Sequence, residues 1–281
     1  MYALQLNKNC VCMSTGELVF IGLGLHDELD ISIKGFEEIK SAEKIFAEFY
    51  TSTLSGASLK KLQKKLGKKI HVLSREQTEK GDVVIDNAKS KKTVFLTCGD
   101  PMVATTHVDL RLRAIKNKIK TKLVHSSSIV TAAPGILGLQ NYKFGRTTTL
   151  PIPEKDYFPK SPYTVIKDNK KIGLHTLVLL DIQAEKNVYM TANQGLSLLL
   201  EMEKKFKESV FNEETIVCVV AQAGSTKPVV RADKISVLIN EDFGQPLHTL
   251  VIPGSLHFME IDALQTLAKL PLDIGKKMQK L

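Results

Sequence analysis

The sequence predicts an α/β protein of two consecutive α/β domains with mixed or mostly parallel sheets. Three observations carry that prediction. Runs such as Leu177-Val178-Leu179-Leu180 and Ile216-Val217-Cys218-Val219-Val220 are apolar at every position, the pattern of strands covered on both faces. Such runs alternate with segments of helical period along most of the chain. Between 144 and 159 the texture changes, where Gly145, threonines at 147–149 and Pro151, Pro153 and Pro159 mark a crossover. The expected divisions are 1–17 as an N-terminal extension, 18–144 as the first domain and 145–275 as the second. Residues 1–17 lack periodicity and read either as a disordered extension or as a segment preceding a true start at Met13.

The first domain opens on a short strand, Leu18-Val19-Phe20-Ile21, which runs into Gly22-Leu23-Gly24-Leu25 and a polar turn at 26–30. A strand followed by Gly-x-Gly is half of a dinucleotide fingerprint. Asp27 stands where the third glycine belongs, and the helix starts only near Ser32, so a nicotinamide-dinucleotide site is disfavoured. Ile33, Phe36, Ile39, Ala42 and Phe46 then keep a helical period up to an aromatic, hydroxyl-rich loop at 49–52. A helix from Ser58 stops at Gly67, a C-cap. Residues 70–73 form a short strand, and a less regular helical stretch reaches Ala88.

Val94-Phe95-Leu96 is the central strand, followed by a turn and a helical pattern over 104–117. Residues 122–125 are a further strand. Ser126-Ser127-Ser128-Ile129 leads into an apolar helical piece broken by Pro134 and Gly135. In the second domain, helix 162–171 precedes strand 175–182, and Thr191 with Gln194 forms a capping box for the next helix. Strand 215–221 leads to Gly224-Ser225. A helix near 232–240, strand 248–252 and an amphipathic helix over 257–270 complete the chain.

The turn at 97–107 lies at the carboxyl end of a buried strand, where open α/β sheets place ligands. Gly99 lets a ligand approach without a Cβ in the way, Asp100 can accept hydrogen bonds, and Pro101 fixes φ. The same residues also read as an N-cap Asp with Pro in the first turn, which is ordinary helix initiation.

Composition narrows the class. With 281 residues, 43% hydrophobic and 25% charged, the chain is long enough for two cores. No apolar run is long enough to cross a bilayer and no stretch resembles a secretory signal, so the expectation is a cytoplasmic protein with no membrane partner. The four cysteines are scattered as in a reducing compartment, and Cys10-Val11-Cys12 lacks a second pair for zinc. The net charge of +9 invites a nucleic-acid reading, but the basic residues are nearly all lysine. The densest run, 60–69, carries Leu59, Leu62 and Leu66 at helical spacing and reads as the wet face of a helix. Nucleic acid is therefore not the expected partner. A Walker A loop, a Gly-x-Ser-x-Gly elbow and a His-Glu-x-x-His helix are all missing.

Taken together, residues 18–25 (LVFIGLGL), 49–52 (FYTS), 99–107 (GDPMVATTH), Ser128-Ile129, 175–182 (HTLVLLDI), 189–193 (YMTAN) and 244–248 (GQPLH) resemble the diphthine synthase family. The resemblance covers nearly all of the chain after Leu18. Gly-Asp-Pro is shared with the wider tetrapyrrole-methylase superfamily, and the Ala-Thr-Thr-His that follows is more specific.

The resemblance implies a tetrapyrrole-methylase-like fold with a ligand cleft between the two domains, and an S-adenosylmethionine-dependent methyltransferase, releasing S-adenosylhomocysteine and using no metal. It implies a homodimer acting on translation elongation factor two, at a histidine that already carries a 3-amino-3-carboxypropyl group. That amine is methylated successively, to the trimethyl form in archaeal members, which the short spacing from Asp181 to Tyr189 resembles. Cofactor contacts fall on Leu25, Asp100, Val103, Ser128, Ile129, Leu180, Ala223 and His248. Of these, Leu25, Val103, Ile129 and Leu180 are equally consistent with core positions, and His248 with a structural histidine.

Methyl transfer to an amine requires the neutral amine, hence a proton acceptor or a lowered amine pKa. Asp181, Glu48 and His107 are candidates among which the residue types do not choose. Tyr50 is the candidate to face the growing quaternary ammonium by a cation–π contact. The competing readings are a corrin-precursor or ribosomal-RNA ribose methyltransferase on the same scaffold, and a non-catalytic S-adenosylmethionine-binding module.

Overall fold

In a computed structural model, which describes residues 16–50, 52–155 and 157–278, the first half of the chain forms an all-parallel sheet. Its strands are β1 (Glu17–Gly22), β2 (Lys44–Glu48), β3 (His71–Leu73), β4 (Lys92–Thr97) and β5 (Lys120–Val124), in the order β3-β2-β4-β1-β5. The helices between them are α1 (Ile33–Lys40), α2 (Leu59–Leu66), α3 (Arg75–Lys80), α4 (Asp82–Ala88) and α5 (His107–Lys116). Strand residues alternate between two apolar cores, as the two-residue period of a strand requires. Val19, Ile21, Val94 and Leu96 face one core with Ile39 of α1 and Leu62 of α2. Leu18, Phe20 and Phe95 face the other, with Ile85 of α4 and Leu110 of α5.

This arrangement creates the crevice. β1 and β4 are neighbours, with Gly22 opposite Thr97, yet the chain leaving β1 passes to the face of α1 and the chain leaving β4 to the face of α5. Adjacent loops that part to opposite faces open a gap at the carboxyl ends of the strands, the place where such sheets bind ligands.

The second half forms a mixed sheet from β6 (Thr148–Leu150), β7 (Thr176–Leu180), β10 (Ile216–Ala221), β11 (Val229–Lys234) and β12 (His248–Ile252), in the order β11-β10-β12-β7-β6. Only β6 and β7 pair in parallel; the other three pairings are antiparallel. A small hairpin, β8 (Ile182–Gln183) and β9 (Val188–Tyr189), follows β7. One face of the sheet packs on α7 (Ser161–Lys171) and α8 (Ala192–Phe206) through Tyr163, Ile166, Leu196 and Leu199. The other packs on α6 (Ile129–Leu137), α10 (Phe258–Leu267) and α11 (Leu272–Met278) through Ala133, Leu137, Leu264 and Ile274. Helix α6 thus joins the second core although it precedes the Pro-rich stretch. Of the proposed 1–17 extension, residues 1–15 and with them Cys10 and Cys12 lie outside the described residues, and Glu17 already opens β1.

Several local expectations need correction. The helical period over 33–46 stops at Lys40; Ala42 follows the helix, and Phe46 lies in β2, whose pairing with both β3 and β4 buries it. The pattern 104–117 is helical only from His107, because Ala104 takes φ +56°, a left-handed conformation that an α-helix cannot contain. Asp100 and Pro101 therefore do not start that helix. Helix α6 is not broken at Pro134, whose missing N–H costs one hydrogen bond while Ala133 and Leu137 on either side stay packed. The threonines at 148–149 belong to β6. Residues 229–234 are a strand, and the helix expected near 232–240 shrinks to α9 (Ile235–Leu238) because the six-residue ladder to β10 takes the segment. The stretch 75–88 is two helices divided at Gly81, with φ +66°; the helix expected over 257–270 is α10, and α11 follows beyond it. Among the described residues no helix is long and apolar enough to cross a membrane.

Candidate functional site

Beyond the paired ends of β1 and β4 the two chains stay joined. Leu23 N–H donates to Thr97 O at 2.8 Å and Gly99 N–H to Gly24 O at 2.7 Å. Gly24 and Gly99 have φ of +83° and +68°, which only glycine adopts without strain. A Cβ on Gly99 would meet no heavy atom within 4 Å, so the space in front of this residue is open. The loop after Gly24 is pinned by Asp30, whose Oδ2 accepts from Leu25 N–H at 3.0 Å and His26 N–H at 2.7 Å. That contact sets Leu25 at the mouth of the gap.

Asp100 is buried, and its carboxylate knits two loops together. Oδ1 accepts from Met102 N–H at 3.0 Å, while Oδ2 accepts from Ser126 N–H at 3.2 Å and from His125 Nδ1 at 2.8 Å. Ser128 is the N-cap of α6, its hydroxyl accepting from Val130 N–H at 3.3 Å, and it places Ile129 at the first position of that helix.

The second half supplies a facing wall from one edge of its sheet. Because β12 runs antiparallel to β7 and β10, its first residue lies beside their last: His248 is opposite Ala221, and Thr249 opposite Leu179. Leu180 ends β7, and Ala223 follows β10. The His248 ring is fixed on both sides. Nδ1 accepts from Ala192 N–H at 3.1 Å, at the start of α8, and Nε2 donates to Gln245 O at 3.1 Å. Burial pushes its pKa below the ordinary histidine range, in keeping with a neutral ring whose proton sits on Nε2.

These walls enclose a cavity of about 370 Å³, within the range of small-molecule sites. All eight residues expected to hold the cofactor line it. Leu25, Asp100, Val103, Ser128 and Ile129 come from loops and helix starts before the second sheet, and Leu180, Ala223 and His248 from the second sheet. Leu25, Val103, Ile129 and Leu180 all border the cavity, and Ile129 and Leu180 pack at the same time against the cores of the second half.

The three candidate proton acceptors do not come together. Asp181 lines the cavity, and its carboxylate is held by Ile152 N–H at 3.0 Å to Oδ2 and by Ile182 N–H at 2.9 Å to Oδ1. Glu48 and His107 do not border the cavity. They are buried under the 99–106 loop, where Thr97 Oγ1 donates to Glu48 Oε1 at 2.8 Å and His107 Nδ1 lies 3.2 Å from Pro101 O. His107 Nε2 stands 3.6 Å from Glu48, and burial lowers the histidine pKa against the opposing pull of that carboxylate. The pair therefore braces the loop from behind. Tyr50 does border the cavity; its hydroxyl bonds to Thr106, and burial, then the charge of Glu48, raises its pKa.

Beyond Tyr50 and Asp181 a second cavity of about 450 Å³ opens, walled by Pro151, Tyr157 and the hairpin region. One residue at this junction carried no signal in the sequence: Arg75 is one arginine on a short polar helix, and only the juxtaposition of the two halves brings it beside Ile182, the end of the 175–182 motif.

Known proteins match this chain over most of its length. The profile of the Tetrapyrrole (Corrin/Porphyrin) Methylases matches residues 17–238. The diphthine synthase of Methanocaldococcus jannaschii is 54% identical over 255 residues, covering 90% of this chain and 99% of that protein. The diphthine synthase of Methanosphaera stadtmanae is 51% identical over 263 residues, covering 94% and 98%. A crystal structure of diphthine synthase superposes with a TM-score of 0.84 at 36% identity, covering 92% of this chain and 98% of that one.

Proposed function

The chain belongs to the tetrapyrrole (corrin/porphyrin) methylase family and, within it, to the diphthine synthases, and from that membership we propose the reaction its cleft performs. It is an S-adenosylmethionine-dependent methyltransferase of diphthamide biosynthesis. The acceptor is the amine of a 3-amino-3-carboxypropyl group on a histidine of translation elongation factor two, methylated in succession to the trimethyl form. The observation that carries this reading is the single cavity bordered by all eight cofactor candidates from both halves, with Asp181 and Tyr50 at its far side.

The cavity suits the cofactor. The empty space before Gly99 is where a side chain would intrude on a ligand, and the wall mixes apolar side chains with the hydrogen-bonding groups of Asp100 and Ser128. Asp100 has three donors bound already, which leaves a carboxylate roughly one acceptor site for a ligand. When bound, S-adenosylmethionine supplies a methyl group on a sulfonium that is its own leaving group. What the chain must add is alignment, exclusion of water and a place for the amine proton. Asp181 is the residue assigned to that proton, since Glu48 and His107 lie behind the wall. The Tyr50 ring is assigned to the cationic product, where a quaternary ammonium gains from a π-face.

The same reading includes action as a homodimer in the cytoplasm, with a folded protein and not nucleic acid as the acceptor. The test is transfer of label from S-adenosylmethionine to elongation factor carrying the aminocarboxypropyl histidine, to unmodified factor and to ribosomal RNA. Label is expected on the first alone. Label on RNA alone would replace this reading with an RNA methyltransferase on the same fold, and tight cofactor binding with no transfer would point to a binding module.

A further inference from the structure

The two cavities meet at a neck, and the four residues that border both are Tyr50, Arg75, Asp181 and Ile182. One guanidinium and one carboxylate therefore stand where an acceptor passes from the outer cavity to the inner one. Arg75 opens α3, and its backbone N–H donates to Glu185 Oε1 at 3.0 Å, linking the first half to the hairpin region of the second. Its Nε donates to Glu79 Oε1 at 2.8 Å. Among the described residues neither Nη group has a hydrogen-bond partner, so the fork keeps both its NH2 groups, the arrangement that takes a carboxylate in a bidentate grip. Asp181 is fixed by two backbone amides, so its charge is held in place.

We infer that Arg75 and Asp181 together read the amino-acid end of the acceptor, Arg75 taking its carboxylate while Asp181 receives the adjacent amine. The inference rests on the function proposed above and names how that site selects its substrate. A carboxylate fixed at Arg75 also withdraws that group from the methyl donor and leaves the nitrogen as the nucleophile. S-adenosylmethionine ends in the same pair of groups, so the chemistry has two sources. The acceptor is the better match, because Arg75 also borders the outer cavity, which holds none of the eight cofactor candidates.

The experiment uses the whole enzyme with elongation factor carrying the aminocarboxypropyl histidine and with unmodified factor, comparing wild type, Arg75→Ala, Arg75→Lys and Glu79→Gln. Loss of a bidentate charged contact predicts a KM for the modified factor raised about 10- to 100-fold in Arg75→Ala, with partial rescue in Arg75→Lys. The preference for modified over unmodified factor, read as a ratio of Kd values, falls by a similar factor. Affinity for S-adenosylhomocysteine and the KM of Glu79→Gln stay within about twofold of wild type. An unchanged KM in Arg75→Ala overturns the inference. So does equal weakening toward both factors, which would make Arg75 a docking residue. Weakened S-adenosylhomocysteine binding would give the carboxylate to the cofactor, and a Glu79→Gln loss as large as that of Arg75→Ala would make the effect one of α3. A wild-type enzyme that transfers no methyl to modified factor defeats the underlying function, and this inference with it, before any variant is compared.

Discussion

His125 Nδ1 lies 2.8 Å from the Oδ2 of Asp100, joining the end of β5 to the loop that follows β4. The carboxylate that borders the cavity proposed for the cofactor is thus also the clasp between two loops, and its removal should be felt twice. Asp100→Ala leaves Met102 N–H and Ser126 N–H, both half-buried, without their acceptor, at the low end of the about 1–3 kcal/mol that an orphaned buried donor costs. Calorimetry with S-adenosylhomocysteine should also show at least about tenfold weaker binding. Asp100→Asn keeps an acceptor and should recover most of the stability but not all of the affinity. Full affinity in Asp100→Ala would remove the residue from the site.

Gly99 separates space from strain. At φ +68° an alanine costs about 1–2 kcal/mol, a drop in Tm of about 2–4 °C for a chain of this size. Its methyl enters open cavity, since no protein atom lies within 4 Å of it. Gly99→Ala should therefore fold with a modest loss of Tm while its Kd for S-adenosylhomocysteine rises more than the strain alone explains. Equal affinity in the two proteins would show that the ligand lies elsewhere.

Asp181→Asn tests the proton acceptor. One amide oxygen can keep one of the two backbone contacts, so the fold should survive. The expected loss is about 10²- to 10⁴-fold in kcat, with cofactor affinity near wild type. Substitutions at Glu48 and His107 should instead lower stability first, because both are buried behind the loop. A Glu48→Gln enzyme of normal Tm and abolished kcat would reverse that assignment.

Tyr50 acts, on this account, late in the sequence of transfers. Tyr50→Phe keeps the ring and should trimethylate normally, whereas Tyr50→Ala should slow the second and third additions relative to the first by about 2- to 30-fold, the worth of one cation–π contact. Mass spectrometry of the modified peptide over time resolves the three steps. Unchanged later steps in Tyr50→Ala would end the cation–π role.

Acid should destabilise the protein in two stages. Burial holds His107, His175 and His248 below the ordinary histidine range, so the native state binds fewer protons than the unfolded chain. Stability is complete above the unfolded value of about 6.5 and falls as pH drops from there toward the native values. Glu260 adds a second stage. Burial alone would raise its pKa, but hydrogen bonds from Lys143, Gln140, His257 and His175 outweigh that and hold it at about 2. Its contribution is present above the ordinary carboxylate range near about 4.3 and is lost below it. Urea titrations across pH should show both declines, and His248→Asn, which keeps an acceptor for Ala192 N–H, should flatten the first. Stability that rises between pH 6.5 and 5 would contradict the assignment.

The parts of the fold legible in the sequence were those set by local pattern. The all-apolar strands, the caps at Ser32, Ser58 and Thr191, and the turn glycines all stand where the pattern placed them. The strands β2 and β11 were hidden for a physical reason: each is defined by pairing with distant neighbours, and Lys44–Glu48 happens to continue a helical spacing. The site divides in the same way. The cavity wall that holds the eight proposed cofactor residues comes mostly from loops at strand ends, which a motif can mark. Side-chain chemistry alone left Glu48, His107 and Asp181 equivalent, and only burial separates them. Arg75 and Asp181 lie more than a hundred positions apart, and no local pattern records that they share a neck.

The most direct measurement follows the mass of the histidine-bearing peptide of elongation factor, carrying the aminocarboxypropyl group, during incubation with this enzyme and S-adenosylmethionine. The account predicts one- and two-methyl species that rise and fall, a trimethyl end point that survives mild base as an N-methyl group must, and no gain on unmodified factor. A base-labile product, a gain on the unmodified histidine or no gain at all would contradict it.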